Sequence, residues 1–83
     1  MTLTDDKLPG PDAELDASGL LCPLPVLKAR KRLQALAPGQ VLRMLATDPA
    51  AHVDVPHFCA EAGHQLLGTE TSGAATAWLI RKG

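Results

Sequence analysis

Breaks come so often along this chain that no regular element can be long. Ser18-Gly19, Pro38-Gly39, Asp48-Pro49, Gly63 and Ser72-Gly73 each carry a turn or helix-stop signal. The segments between them each show one hydrophobic period. Ala13 to Ala17 alternates weakly and reads as a short strand. From Cys22 to Ala37, Val26, Ala29, Leu33 and Leu36 recur at helical spacing, with Leu27 and Ala37 flanking the stripe. Gln40 to Ala46 is apolar on both faces apart from Arg43, the pattern of a covered central strand. Asp48-Pro49 opens a second helix, since Asp can cap and Pro suits the first helical position. That helix is expected over roughly Ala50 to Ala62, kinked or restarted at Pro56, with Asp54 as a second possible cap. Gln65 to Thr71 and Ala75 to Arg81 read as strands joined by a hairpin turn at Ser72-Gly73.

The order β-α-β-α-β-β predicts an α/β two-layer sandwich, with both helices on one face of a four-stranded mixed sheet. Right-handed crossovers make the first three strands parallel, and the closing hairpin makes the last one antiparallel. Trp78, with Thr76 and Ile80 on the same side of the last strand, is expected in the core. Eighty-three residues suit one domain. Residues 1–12 are polar and read as a flexible N-terminal leader, leaving 13–83 as the domain.

Several function classes are excluded at this level. Eight basic residues against nine acidic ones, net charge −1, do not suit a domain that grips nucleic acid by bulk charge. The longest apolar run, Leu20 to Leu27, contains two prolines and falls far short of the about 20 residues needed to cross a bilayer. The first residues, MTLTDDKLPGPD, hold no apolar signal-peptide region. Two cysteines are too few for a disulfide scaffold or an iron–sulfur cluster, so the expected setting is a reducing cytoplasm with free thiols. His57, Cys59 and His64 do not make a metal site, because Cys59 is turned about 200° from His57 on a helix. No metal or organic cofactor is expected. Cys59, set among Phe58, Ala60 and Ala62, reads as packing.

The stretch that carries chemistry is Gly19-Leu20-Leu21-Cys22-Pro23-Leu24-Pro25. It places a cysteine between a turn and a helix start, where unpaired N–H groups and about half a positive charge favour thiolate over thiol. A dipole contribution of roughly 1–2 kcal/mol lowers a thiol pKa by about 1 unit, and thiolate is the nucleophile. If Cys22 caps the helix, Leu24 is the one residue of the next three with an N–H to offer the sulfur, since Pro23 and Pro25 have none. Pro25 disfavours helical geometry at Leu24, so a helix starting at Pro25 is the other option. No base stands beside Cys22 in sequence: His52, His57 and His64 all fall on the second helix or its end. The alternative reading of Cys22 is a small buried apolar residue.

The chain resembles the TusA/SirA-like sulfur-carrier family, whose hallmark is a Cys-Pro-x-Pro motif opening the first helix. The likeness rests on Leu15-Asp16 with Gly19, Cys22-Pro23-Leu24-Pro25, Pro38-Gly39, Asp48-Pro49-Ala50, Asp54-Val55-Pro56 with Phe58-Cys59, and Leu79-Ile80-Arg81-Lys82-Gly83. It spans residues 13 to 83. The resemblance implies the same β-α-β-α-β-β sandwich and a relay of sulfane sulfur as a persulfide on Cys22. It implies a sulfur-donor protein, such as a cysteine desulfurase or a rhodanese-like protein, and an acceptor relay protein with a reactive cysteine. Thiolation of a tRNA wobble uridine is one implied destination; sulfur oxidation, molybdenum cofactor supply and selenium metabolism are others.

Lys28, Lys31 and Arg32 lie at i, i+3 and i+4 on the first helix, with Arg30 beside them. Like charges at that spacing repel by a few tenths of a kcal/mol. The stripe reads as a solvated face, a docking surface for an acidic partner, or a tRNA patch. Two functions follow from the sequence: a sulfurtransferase whose site is Cys22, positioned by Gly19, Pro23, Leu24 and Pro25, or a non-catalytic interaction module whose thiol senses redox state.

Overall fold

Six elements follow in the expected order: β1 (Ala13–Ala17), α1 (Leu24–Gln34), β2 (Val41–Ala46), α2 (Ala51–Ala62), β3 (Gln65–Ser72) and β4 (Ala75–Arg81). They are those of a computed structural model that describes residues 11–21 and 23–83. The expected leader, apart from Pro11 and Asp12, lies outside the described residues, and so does Cys22. Asp12 is tied to the sheet: its N–H donates to the Val41 carbonyl and its Oδ2 accepts from the Val41 N–H, both at 2.8 Å.

The sheet order is β1-β2-β4-β3. β1 pairs parallel with β2, Ala13 opposite Leu42 and Ala17 opposite Ala46. β4 pairs antiparallel with both β2 and β3. The first three strands therefore share one direction, as expected, and the last inserts between the second and third. Hydrophobicity explains the insertion. Thr76 to Ile80 of β4 are all buried, whereas most of β3 and alternate residues of β1 are exposed. Placing β4 inside lets the apolar strand be covered and leaves the polar strands at the edges.

Both helices pack on one face. Ala17, Leu42, Met44, Ala46, Trp78 and Ile80 meet Ala29 and Leu33 from α1, and Ala51, Val55, Phe58 and Cys59 from α2. Trp78, Thr76 and Ile80 are buried as the sequence predicts. Val26 and Leu36 pack against this core from its margin, while Leu27 is half exposed. α1 stops at Gln34, short of Ala37, because its last turn tightens: the Ala35 and Leu36 N–H groups donate to the Arg32 and Leu33 carbonyls. α2 runs through Pro56 as one helix, with no restart, and ends on Gly63, which takes the left-handed conformation (φ 79°). Asp48-Pro49 forms a turn ahead of α2, in which Asp48 Oδ1 accepts the Ala50 N–H at 3.1 Å. No side chain caps the helix itself. β3 extends to Ser72, so the hairpin loop is Gly73-Ala74, one residue later than predicted.

Candidate functional site

Parallel strands β1 and β2 deliver their C-terminal ends, and the loops that follow them, to the same end of the sheet. The β1–α1 loop carries the proline-framed motif, and it is held from three sides. Asp16 Oδ1 accepts the Ser18 N–H at 2.9 Å in a local turn, and hydrogen bonds from the Ser18 hydroxyl and then its N–H lower the Asp16 pKa. The Leu20 N–H donates to the Ala17 carbonyl at 3.2 Å. Gly19, at φ 79°, donates its N–H to Thr47 Oγ1 at 2.8 Å, which ties this loop to the one after β2. Only glycine adopts that backbone cheaply.

α1 begins at Leu24, with Pro23 as the N-cap and Pro25 in the first turn. Neither option left by the sequence is adopted. Leu24 is helical in spite of Pro25, which itself is buried. The Leu24 N–H is engaged by the Leu21 carbonyl at 2.9 Å, so its bond runs to backbone. The Leu27 N–H donates to the Pro23 carbonyl at 3.1 Å, a full helical bond. The residues around Cys22 face solvent: Leu21 is 70% exposed and Leu24 46%, and Pro23 is exposed as well. No acidic side chain stands in the first turn of α1, so nothing within the helix neutralises its positive end.

The start of α2 comes up beside this point. Pro23, Pro25 and Val26 share a narrow cleft with Asp48, Ala51 and Asp54. A second groove, of about 210 Å³, opens between the helices and is lined by Pro23, Val26, Arg30, Asp54, Phe58 and Glu61 among others. The Arg30 guanidinium lies over the Phe58 ring, 5.6 Å from its centroid. Sequence reasoning gives Thr47 no role and reads Asp48 and Asp54 as helix caps and Arg30 as a neighbour of the basic stripe, whereas all four border the motif. Thr47 and Asp48 follow β2 directly, at the strand end where parallel neighbours gather their loops. That position is the signal that could have found them.

The other singled-out residues are elsewhere. Lys28, Lys31 and Arg32 are exposed on α1, and the Arg32 guanidinium donates to the Glu14 carbonyl of edge strand β1. Cys59 is a free, buried thiol whose pKa burial pushes up to about 11. His57 stands 3.5 Å from Glu61, and His64 accepts the Gly83 N–H on Nδ1. Among the described residues, no three His, Cys, Asp or Glu side chains gather as a metal site. No helix among them is long and apolar enough to cross a membrane.

Residues 13–82 match the family model described as sulfurtransferase TusA. Among solved structures, the fold resembles the crystal structure of a SirA-like protein from Desulfitobacterium hafniense. That match has a TM-score of 0.75 and 26% sequence identity, and covers 86% of this chain and 97% of that one.

Proposed function

This chain belongs to the TusA sulfurtransferase family of sulfur carriers, and from that premise we propose that Cys22 is the atom-carrying site of a persulfide relay. The Cys22 thiolate attacks the outer sulfur of a donor persulfide, R–S–SH. The donor S–S bond breaks, R–S⁻ departs, and Cys22–S–SH forms. An acceptor thiolate then attacks the same outer sulfur and regenerates Cys22–S⁻. Each step exchanges one S–S bond for another, so no external oxidant, reductant or metal is required. The donor is a cysteine desulfurase or a rhodanese-like protein, the acceptor a relay protein with a reactive cysteine. Thiolation of tRNA and sulfur oxidation are two of the destinations such a relay could serve, in the cytoplasm.

The observation that carries this reading is the family match across residues 13–82, which takes in the proline-framed cysteine two residues before α1 in the sequence. The surroundings support it. The first turn of α1 carries no acidic side chain of its own, which favours thiolate, while Asp48 and Asp54 line the cleft beside it. The exposed Leu21, Pro23 and Leu24 leave room for a partner's cysteine to approach. Gly19 and Pro25 fix the segment from either side, one by its turn and the other by its burial.

Mass spectrometry after incubation with a sulfur donor tests the assignment. Wild type and Cys59→Ala should each gain roughly 32 Da, one sulfur, and Cys22→Ser should gain nothing. Loading of Cys22→Ser at wild-type yield overturns it. A wild-type chain that takes no sulfur, yet oxidises reversibly, would be a redox-sensing module instead.

A further inference from the structure

We propose that the outer face of α1 is a docking strip for an acidic protein segment that presents one apolar side chain near the motif and carboxylates beyond it. The proposal rests on the persulfide reading of Cys22.

At about 100° per residue, Leu27, Lys31, Leu24, Ala35, Lys28 and Arg32 fall in that order within one arc of about 140° on α1. The core residues Ala29, Leu33 and Val26 occupy the opposite arc. The strip is therefore a contiguous solvent face with a built-in polarity. Its end nearest the motif carries two large apolar side chains, Leu24 at 46% and Leu27 at 50% exposure. Its far part borders a groove of about 320 Å³ between α1 and β1, lined by Leu15, Lys28, Lys31, Arg32 and Ala35. The groove is lined by two apolar side chains, the half-buried Leu15 and the exposed Ala35, and by three cations.

Charge complementarity names the occupant. Among the described residues, neither Lys28 nor Lys31 is ion-paired, and Arg32 spends its guanidinium on the Glu14 backbone carbonyl. The helix dipole accounts for Lys31 and Arg32, which sit in the last turn, where cations are favoured. It does not account for Lys28, four residues before Arg32, where like charges repel. A stripe that costs the free helix a little is satisfied by carboxylates from outside. An RNA backbone would meet the cations too, but it gains nothing from exposed leucines and the apolar lining of the groove. The two large aromatics, Phe58 and Trp78, are both buried, so no ring is offered for bases to stack on. A protein segment uses every part of the strip. Lys28 lies about 6 Å along the axis from the start of α1, at 1.5 Å per residue, so a partner docked here keeps its own cysteine within reach of Cys22.

Lys28→Glu separates docking from folding. The reversal places Glu four residues before Arg32, the favourable orientation on a helix, so the variant should be at least as stable as wild type. Ala35→Glu, at an exposed position, adds a repulsive charge without removing a cation. Sulfur loading is compared with two donors: a cysteine desulfurase supplied with L-cysteine, and inorganic polysulfide. Both variants should load from polysulfide at the wild-type rate. From the desulfurase they should load about tenfold more slowly at low salt, with the deficit shrinking at high salt as steering is screened. Equal losses with both donors, or no loss with either, overturn the strip. Tighter binding of a single-stranded RNA 20-mer than of the desulfurase, lost in Lys28→Glu, would also overturn it in favour of nucleic acid. Failure of wild type to load from polysulfide strikes instead at the Cys22 reading.

Discussion

Gly19 and Thr47 lie in different loops, 28 residues apart, and are joined by one hydrogen bond of 2.8 Å from the Gly19 N–H to Thr47 Oγ1. The bond makes the start of the motif segment depend on the loop after β2. Thr47→Val removes the acceptor and keeps the shape. It should cost about 1 kcal/mol of stability, the usual worth of one hydrogen bond. Loading of Cys22 should slow by about fivefold if that energy is used to hold the segment in its productive geometry. Thr47→Ser keeps the oxygen and should restore the rate. Loading of Thr47→Val at the wild-type rate would show that Thr47 serves the fold alone.

Gly19 supplies the backbone for that bond. A Cβ built there meets nothing within 4 Å, so the cost of Gly19→Ala is conformational only, about 1 kcal/mol for the left-handed region. Gly68, in β3, has the same open space without the positive φ. Urea unfolding should show a midpoint about 1 M lower for Gly19→Ala and no fall for Gly68→Ala. Equal midpoints for the two variants would mean the φ at Gly19 is not what the turn requires.

How much of this was legible in the sequence depends on how far apart the deciding residues are. β1 and β4 begin and end where alternation and turn residues place them, because those signals are local. The insertion of β4 between β2 and β3 was not legible, since it is decided by comparing the burial of whole strands. At α1 the prolines gave conflicting local advice. Leu24 is helical because the Leu21 carbonyl engages its N–H and Pro25 finds a buried place, both outside any propensity rule. Pro56 breaks nothing because Val55, Phe58 and Cys59 around it are anchored in the core. The motif could be read as a string of letters, but its partner Thr47 could not, because the bond crosses between β–α units.

Leu33 and Leu27 sit on one helix and should answer oppositely to truncation. Leu33 is 1% exposed and fastens α1 to the sheet, whereas Leu27 is half exposed on the outer face. Leu33→Ala should cost about 2–5 kcal/mol, a large part of the roughly 4–12 kcal/mol expected for a domain this size. Leu27→Ala should stay within about 0.5 kcal/mol. Chemical denaturation of both variants checks this, and a comparable loss in Leu27→Ala would place that side chain in the core.

Cys59 gives the fold a pH dependence in the alkaline range. Its thiol is 3% exposed in the core, and burial raises its pKa from 9.0 to about 11 by disfavouring the thiolate. The folded chain therefore holds this proton more tightly than the unfolded chain. Its contribution is complete below about pH 9 and is lost as pH rises through about 11. The two-unit gap corresponds to a full loss of about 3 kcal/mol, of which about 2 kcal/mol falls between pH 9 and pH 11. Lysines titrate in the same range, so the measurement is a difference. Urea unfolding of Cys22→Ser is compared with Cys22→Ser/Cys59→Ala at pH 6, 7, 8, 9, 10 and 11. The lysines are common to both proteins and cancel. The double variant should gain on the single one by about 2 kcal/mol between pH 9 and pH 11, and the two curves should run parallel below pH 8. A constant difference across the whole range would mean that the Cys59 thiolate is tolerated in the folded core.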